Sequence, residues 1–486
     1  MAERIRVGLV SFTDPRSTHL ATEYAQYEIE GHKQLAHHLR ARGFDVVDPM
    51  EAAGTFRVRT SQDSQRCVSE FLGSGIEALI LGCWRWTDPM LAIDIVRQVD
   101  RPTLLFAQSD PAWTGIGCIG AIGAGLWQIA PHRNALNHTR VLDDTAEVVR
   151  WLRGSGAYVK MRRKRLLLWG GSYALRMEHL TEDVSRLKSF LIGDILNEGQ
   201  YLLIKRAEDI LKREPHQIEK FASWLRSGGA RITFDERMLT PEAFRKQIAL
   251  YLAARQRLRE LESEDIVGVS LRCQPELSEE YGVTGCLIPS FLPFSEDYDG
   301  SKQAIAATCE GDIKGLLTSV LLTMIEPDIP AGFGDIRSLK IDGRSLMMIG
   351  NCGGASVYYA ANSSSAEEVL PNIAIRGQCQ GASGGAVGYR GRPCEQVTVA
   401  RLVRVAEQYR MQLALGSAVE VTEEMLEILN WGSMWPQLAI DIGVDVHTLV
   451  QRIGSNHFSV MPGDLTREIG YACRAAGICV ERLDGQ

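Results

Sequence analysis

Residues 78–107 read ALILGCWRWTDPMLAIDIVRQVDRPTLLFA. An apolar run, Ala78 to Leu81, passes into a loop that ends at Asp88. Pro89 to Val99 then repeats apolar residues at helical spacing, and Thr103 to Ala107 is apolar again. A short continuous apolar run suits a strand buried on both faces, and a helix between two such runs predicts a parallel βαβ unit. The pattern extends outward. Ile5 to Phe12 reads as a strand, Ser17 to Arg42 as helical, Phe44 to Val47 as a strand and Ser64 to Leu72 as a helix. The first 150 or so residues therefore predict a parallel sheet with helices on both faces. Ligands of such sheets sit beyond the carboxyl ends of strands. Those ends are Ser11 to Ser17, Gly82 to Asp88 and Gln108 to Thr114. Trp84 and Trp86 in the middle loop suit either sugar stacking or core and interface packing.

The basic stretch Lys160 to Arg165 reads as a junction. A second alternating unit follows from Leu166, with Gly170-Gly171-Ser172-Tyr173 at its strand end. Helices are expected from about Thr181 to Glu262, a strand over Ile266 to Leu271, and a helix near Ala304 to Met324. After about residue 345 the chain turns Gly-, Ser- and Cys-rich. Gln396 to Val403 and Met411 to Val421 read as β, and Val444 to Arg452 and Leu465 to Ala476 as helices. Segments 1–165, 166–345 and 346–486 result, matching 486 residues at roughly 150 per domain.

Composition excludes several classes. The chain is 45% hydrophobic and 23% charged, as globular proteins are. Net charge is 53 − 60 = −7, so nucleic acid is not the expected partner. No run approaches the ~18 apolar residues of a membrane span, and the N-terminus enters a strand without a signal-peptide pattern. Eleven cysteines with no C-x-x-C disfavour a disulfide framework and structural zinc, and fit a reducing cytoplasm.

Two glycine motifs match known fingerprints by letters alone. Gly115-x-Gly117-x-x-Gly120 starts about eight residues after its strand and lacks the acidic ribose contact of a dinucleotide site. Tight-loop or close-packing glycines are the simpler reading. Gly381-Ala382-Ser383-Gly384-Gly385 lacks the following helix that a nucleophile elbow requires.

Three acid or imidazole positions stand out. Glu310, in Ala307-Thr308-Cys309-Glu310-Gly311-Asp312, lies near a helix start, where a carboxylate is stabilised by free amides or simply caps the helix. Asp335 follows Gly332-Phe333-Gly334. His457 ends the small polar loop Gly454-Ser455-Asn456-His457. Two carboxylates and one histidine make a hard, oxygen-rich site, suited to Mn²⁺ or Mg²⁺ rather than Zn²⁺. Such a site can hold adjacent sugar oxygens while a carboxylate moves a proton between neighbouring carbons.

These segments resemble the L-fucose isomerase / L-arabinose isomerase superfamily, on the fucose isomerase side. The segments at Glu310, at Phe333-Gly334-Asp335-Ile336-Arg337 and at Asn456-His457 carry the likeness, with Pro462-Gly463-Asp464 and Trp435-Pro436 in fitting order. The resemblance implies two Rossmann-like doubly wound domains followed by a β-barrel-like C-terminal domain. It implies a hexamer in which a first-domain loop of a neighbouring subunit completes the pocket, with Trp84 facing substrate. It implies Mn²⁺ (Mg²⁺ or another divalent cation as alternatives) on Glu310, Asp335 and His457, with Glu310 and Asp335 as the acid/base pair of a cis-ene-diol path. Gln274 and Asn456 would contact the sugar. Arg16, Arg85 and Arg337 are anion contacts for a charged substrate or ordinary salt-bridge arginines. Residues after Gly170-Gly171, from Tyr173 to Leu175, depart from the family, so the sugar stays open: a deoxy-hexose, a pentose or a C6-modified hexose. The rival expectation is a sugar-binding or regulatory protein without turnover.

Overall fold

The structure is a computed structural model that describes residues 4–16, 24–172, 175–430 and 432–485. Ser17, where the first helix was expected to begin, and Tyr173 lie outside the described residues. The chain divides into two compact units. One comprises Met1–Lys160 with Arg467–Gly477, and the other Met161–Thr466 with Ile478–Gln486. The division falls at the basic stretch read as a junction.

The first unit holds a five-stranded parallel sheet. Its order is Asp45–Val47, Arg6–Ser11, Ala78–Cys83, Thr103–Ala107, Thr139–Leu142. In chain order this is 2-1-3-4-5, one of the common doubly wound arrangements. Every residue of Ala78–Cys83 is buried because alternate side chains enter opposite cores. Leu79, Leu81 and Cys83 pack with Phe71, Leu91 and Ile122. Ala78 and Ile80 pack with Leu35, Leu39 and Trp151. Asp88 caps the helix Pro89–Gln98 by accepting from the Met90 amide, with proline at its first turn. Gly115 opens the helix Gly115–Ile129. A Cβ on it would lie 2.6 Å from the Cys83 carbonyl oxygen, so this glycine permits close helix packing, as the simpler reading had it.

The second unit begins with a four-stranded parallel sheet, ordered Ala306–Cys309, Ile266–Leu271, Arg165–Trp169, Asp194–Glu198. The edge strand Asp194–Glu198 falls in a stretch expected to be helical. It is short, and only its parallel pairing with Arg165–Trp169 selects the extended form. The helix expected from Ala304 starts at Ile313, because Ala306–Cys309 is a fully buried strand.

The β-rich region closes into a six-stranded antiparallel barrel. Gly332–Ile341 pairs with Arg344–Gly350, then Pro436–Asp441, Gln408–Val419, Cys394–Val405 and His457–Pro462, which pairs back with Gly332–Ile341. Closure removes the exposed edges of those six strands. The barrel starts at Gly332, so residue 345 lies inside one of its strands. The helix Ile313–Ile325 lies against Cys394–Val405 and His457–Pro462. Among the described residues no helix is long and apolar enough to cross a membrane.

Candidate metal centre

Glu310 follows the carboxyl end of Ala306–Cys309. Its backbone is left-handed (φ 63°), and Gly311 after it is also positive (φ 68°). A non-glycine residue there costs on the order of 1 kcal/mol. The turn sets the Glu310 side chain beside two barrel strands. Asp335 sits near the start of Gly332–Ile341 and His457 opens His457–Pro462, and the two are directly paired across the antiparallel ladder. Direct cross-strand partners hold their side chains close on one face.

The three side chains converge. His457 Nε2 is 3.1 Å from Glu310 Oε2 and 3.1 Å from Asp335 Oδ1. One ligand atom from each lies within 4.8 Å of the others. His457 is fully buried, while Glu310 and Asp335 are partly open.

Behind the imidazole is a buried support. His457 Nδ1 lies 2.9 Å from Asp312 Oδ2. Asp312 caps the helix Ile313–Ile325 through the Gly315 amide, and accepts two bonds from Arg401. Asp312, Arg401 and His457 are all 0% exposed. Burial pushes the Asp312 carboxyl up, but the Arg401 charge and the His457 bond outweigh it and hold it far below the carboxylate range. An ionised Asp312 has no hydrogen to give, so Nδ1 is the protonated nitrogen. That leaves Nε2 turned toward the carboxylates, as in metal-bound histidines that donate their other nitrogen to a carboxylate.

Glu310 Oε2 and His457 Nε2 are buried and make no hydrogen bond, despite their approach. A lone pair facing two carboxylate oxygens is stable only with positive charge among them. Burial lowers the proton affinity of His457, yet Asp312, Asp335 and Glu310 together raise it well above the imidazole range. A divalent cation would supply the same compensation, and two carboxylates with one imidazole fit a hard or borderline ion.

The remaining candidates sort by position. Asn456 Nδ2 donates to Asp335 Oδ1 at 2.7 Å, and its Oδ1 meets His179 Nε2 at 2.8 Å. Gln274 donates to the Gln380 carbonyl and lines a cavity with Glu310. Arg337 spreads over the Trp435 ring at 4.2 Å. Arg16 and Trp84 belong to the first unit. Arg16 is an exposed salt-bridge residue clamped on Asp14, with Nε 2.9 Å from Oδ1. Trp84 departs from its expected substrate-facing role: it is 1% exposed, donates to Ser11 Oγ at 2.9 Å, and meets Phe106 edge-on. The open tryptophan of that loop is Trp86, 39% exposed. Ser383 donates to the Gly282 carbonyl and its segment enters the strand Gly385–Arg390, so no nucleophile elbow forms.

Sequence reading missed the roles of Asp312 and Arg401. Capping belongs to Asp312, not to Glu310. The signal for Arg401 was its place in the period-two row Val397, Val399, Arg401, Val403, where a charge in an apolar phase demands a buried partner.

Compared with known proteins, the chain matches no family model and no curated protein.

Proposed function

We propose that this protein is a divalent-cation-dependent aldose–ketose isomerase of the L-fucose isomerase / L-arabinose isomerase kind, acting on a deoxy-hexose, a pentose or a C6-modified hexose. The observation that carries the reading is the convergence of Glu310, Asp335 and His457 on one point, backed by the buried Asp312–Arg401 pair. The doubly wound strand order of the first unit, the shorter parallel sheet of the second and the closed barrel are consistent with two Rossmann-like domains and a barrel.

Glu310, Asp335 and His457 would hold the ion, with Mn²⁺ the expected metal. When bound, it supplies Lewis-acid polarisation of the sugar carbonyl and a fixed anchor for adjacent oxygens. The chain's own residues do the rest. One carboxylate of the pair takes the proton from C2 of the open-chain aldose and returns it to C1, through a cis-ene-diol. The other manages the proton of the neighbouring hydroxyl. Asn456, bonded to Asp335, fixes the orientation of that carboxylate. Gln274, in the lining of the adjoining cavity, is the proposed contact for sugar hydroxyls. A hexamer whose pockets are completed by neighbouring copies belongs to the same proposal, with sedimentation velocity as its check.

The deciding experiment incubates chelator-stripped protein with L-fucose, D-arabinose, L-arabinose and a sulfonated hexose in D₂O, with and without Mn²⁺, followed by proton NMR. Ketose formed only with metal, with solvent deuterium at the transferred position, supports the reading. Tight sugar binding that is indifferent to chelator, without turnover, replaces it with a binding protein.

A further inference from the structure

Beside the metal centre is a group of thiols that the isomerase reading does not use. The cavity that touches Glu310 is also lined by Cys273, Cys286, Cys309 and Cys352. All are free. Cys286 directly precedes the short helix Leu287–Phe291, and Cys352 follows the barrel strand Arg344–Gly350. These two, 66 residues apart in sequence, are tied together in three ways. Each of the two thiols is the largest single influence on the proton affinity of the other. As a thiol, Cys286 Sγ also donates to the Cys352 carbonyl at 3.9 Å. Gln378 Nε2 bridges them, donating to Cys286 Sγ at 3.4 Å and to the Cys352 carbonyl.

The pair is asymmetric. Hydrogen bonds from Cys352, Thr284 and Gln378 to the Cys286 sulfur outweigh its burial and bring its pKa down to about 7. The Cys352 thiol, which donates that bond, is held well above the usual range by it and by burial. A thiol of pKa about 8.5 is only a few per cent ionised at neutral pH, whereas one near 7 is about half thiolate. Cys286 is therefore the nucleophile and Cys352 the thiol placed to follow it. The Gln378 bridge, the Cys286–Cys352 contact and the shared cavity are geometric observations that stand apart from these proton affinities.

We propose that Cys286 and Cys352 are a reversible oxidation site in the wall of the metal pocket, closed to a disulfide by hydrogen peroxide. The Cys286 thiolate attacks one peroxide oxygen, the O–O bond breaks, and hydroxide leaves, to be protonated to water. Cys286 becomes a sulfenic acid. The Cys352 sulfur then attacks the Cys286 sulfur, the S–O bond breaks, and the departing hydroxide takes the Cys352 proton as water. Two thiols and one peroxide give one disulfide and two waters. The sulfurs lose two electrons and the peroxide gains them. The chemistry does not depend on which reaction the pocket performs.

The test treats the reduced full-length protein with stoichiometric peroxide, blocks free thiols with iodoacetamide and maps peptides by mass. The expected product is one crosslinked peptide pair, Cys286 with Cys352, lighter by two hydrogens and restored by dithiothreitol. In Cys352→Ser, Cys286 should stop at the sulfenic acid and be trapped as a dimedone adduct. The rate of Cys286 alkylation in untreated protein should rise with pH through a midpoint of about 7. A Cys273–Cys286 crosslink overturns the pairing. Oxidation confined to the exposed Cys479, with Cys286 untouched, overturns the site. Both are read by mass alone, so failure here is distinct from failure of the isomerase reading.

Discussion

At the scale of single residues, Glu310 and His457 carry the two clearest expectations. Glu310→Gln keeps an oxygen that can ligate and removes the base. Turnover of whichever sugar is converted should fall by about 10²–10⁴, the usual worth of a positioned acid/base group, while Mn²⁺ still binds by calorimetry. Near wild-type turnover would remove Glu310 from the chemistry. His457 would link a bound ion to pH. Surrounded by Asp312, Asp335 and Glu310, its proton affinity is raised above the ordinary 6.5. Below that raised value the metal-free imidazole is protonated, and a cation must displace the proton. Mn²⁺ affinity should therefore climb with pH by up to about tenfold per unit and level off above it. Calorimetry in buffers of different ionisation enthalpy should show close to one proton released per ion near pH 7. Affinity flat from pH 6 to 9 would place the ion elsewhere. The triad was legible in sequence because each member sits in a short run of small residues. Its support was not. Asp312 is only two residues from Glu310 and looks like a second acid, and Arg401 lies 89 residues away on another barrel strand.

At the scale of elements, two close approaches hold the site. Asp312 caps Ile313–Ile325 and is buried against Arg401 of Cys394–Val405, so it locks the helix to the barrel. Removing one partner of a buried pair leaves an uncompensated charge, commonly worth about 3–5 kcal/mol. Asp312→Asn should lower the urea midpoint accordingly and weaken Mn²⁺ binding, because a neutral amide replaces the charged carboxylate that accepts from His457 Nδ1. The second approach is Gly334. A Cβ there would run into the Gly350 carbonyl of the paired strand, and backbone cannot yield as a side-chain tip can. Gly334→Ala should cost about 1–3 kcal/mol, as overpacking does, and should loosen metal binding by moving the adjacent Asp335. Full stability with full affinity in that variant would show that the strands tolerate the shift. Strands such as Ala78–Cys83 and Thr103–Ala107 were readable because burial on both faces leaves a continuous apolar run. Asp194–Glu198 has one buried residue in five and no such run. Its extended form comes from its neighbour.

At the scale of the whole molecule, the barrel was anticipated by the family resemblance alone, and residue patterning conceals it. Its closing contacts join Gly332–Ile341 to His457–Pro462, more than a hundred residues on, and Gln408–Val419 to Pro436–Asp441. Periodicity announces strands but says nothing of such non-local partners, so β-rich was legible and closure was not. The C-terminal path was equally hidden: Arg467–Gly477 joins the first unit and Ile478–Gln486 returns to the second. The same non-local closure would make a bound ion a stability device. Glu310 comes from the parallel-sheet segment, whereas Asp335 and His457 come from barrel strands far apart in sequence. An ion shared by the three binds only the folded chain, so it should stabilise by about 2.7 kcal/mol at a hundred times its Kd. Thermal unfolding followed with Mn²⁺ and then excess chelator should show an upward shift that the chelator reverses. Asp335→Ala should abolish the shift while its metal-free melting stays close to that of the metal-free wild type, because Asp335 is partly open and its removal buries no charge. A shift that survives in Asp335→Ala would mean that the stabilising ion sits away from the triad, and the fold would have to be credited with a second cation site.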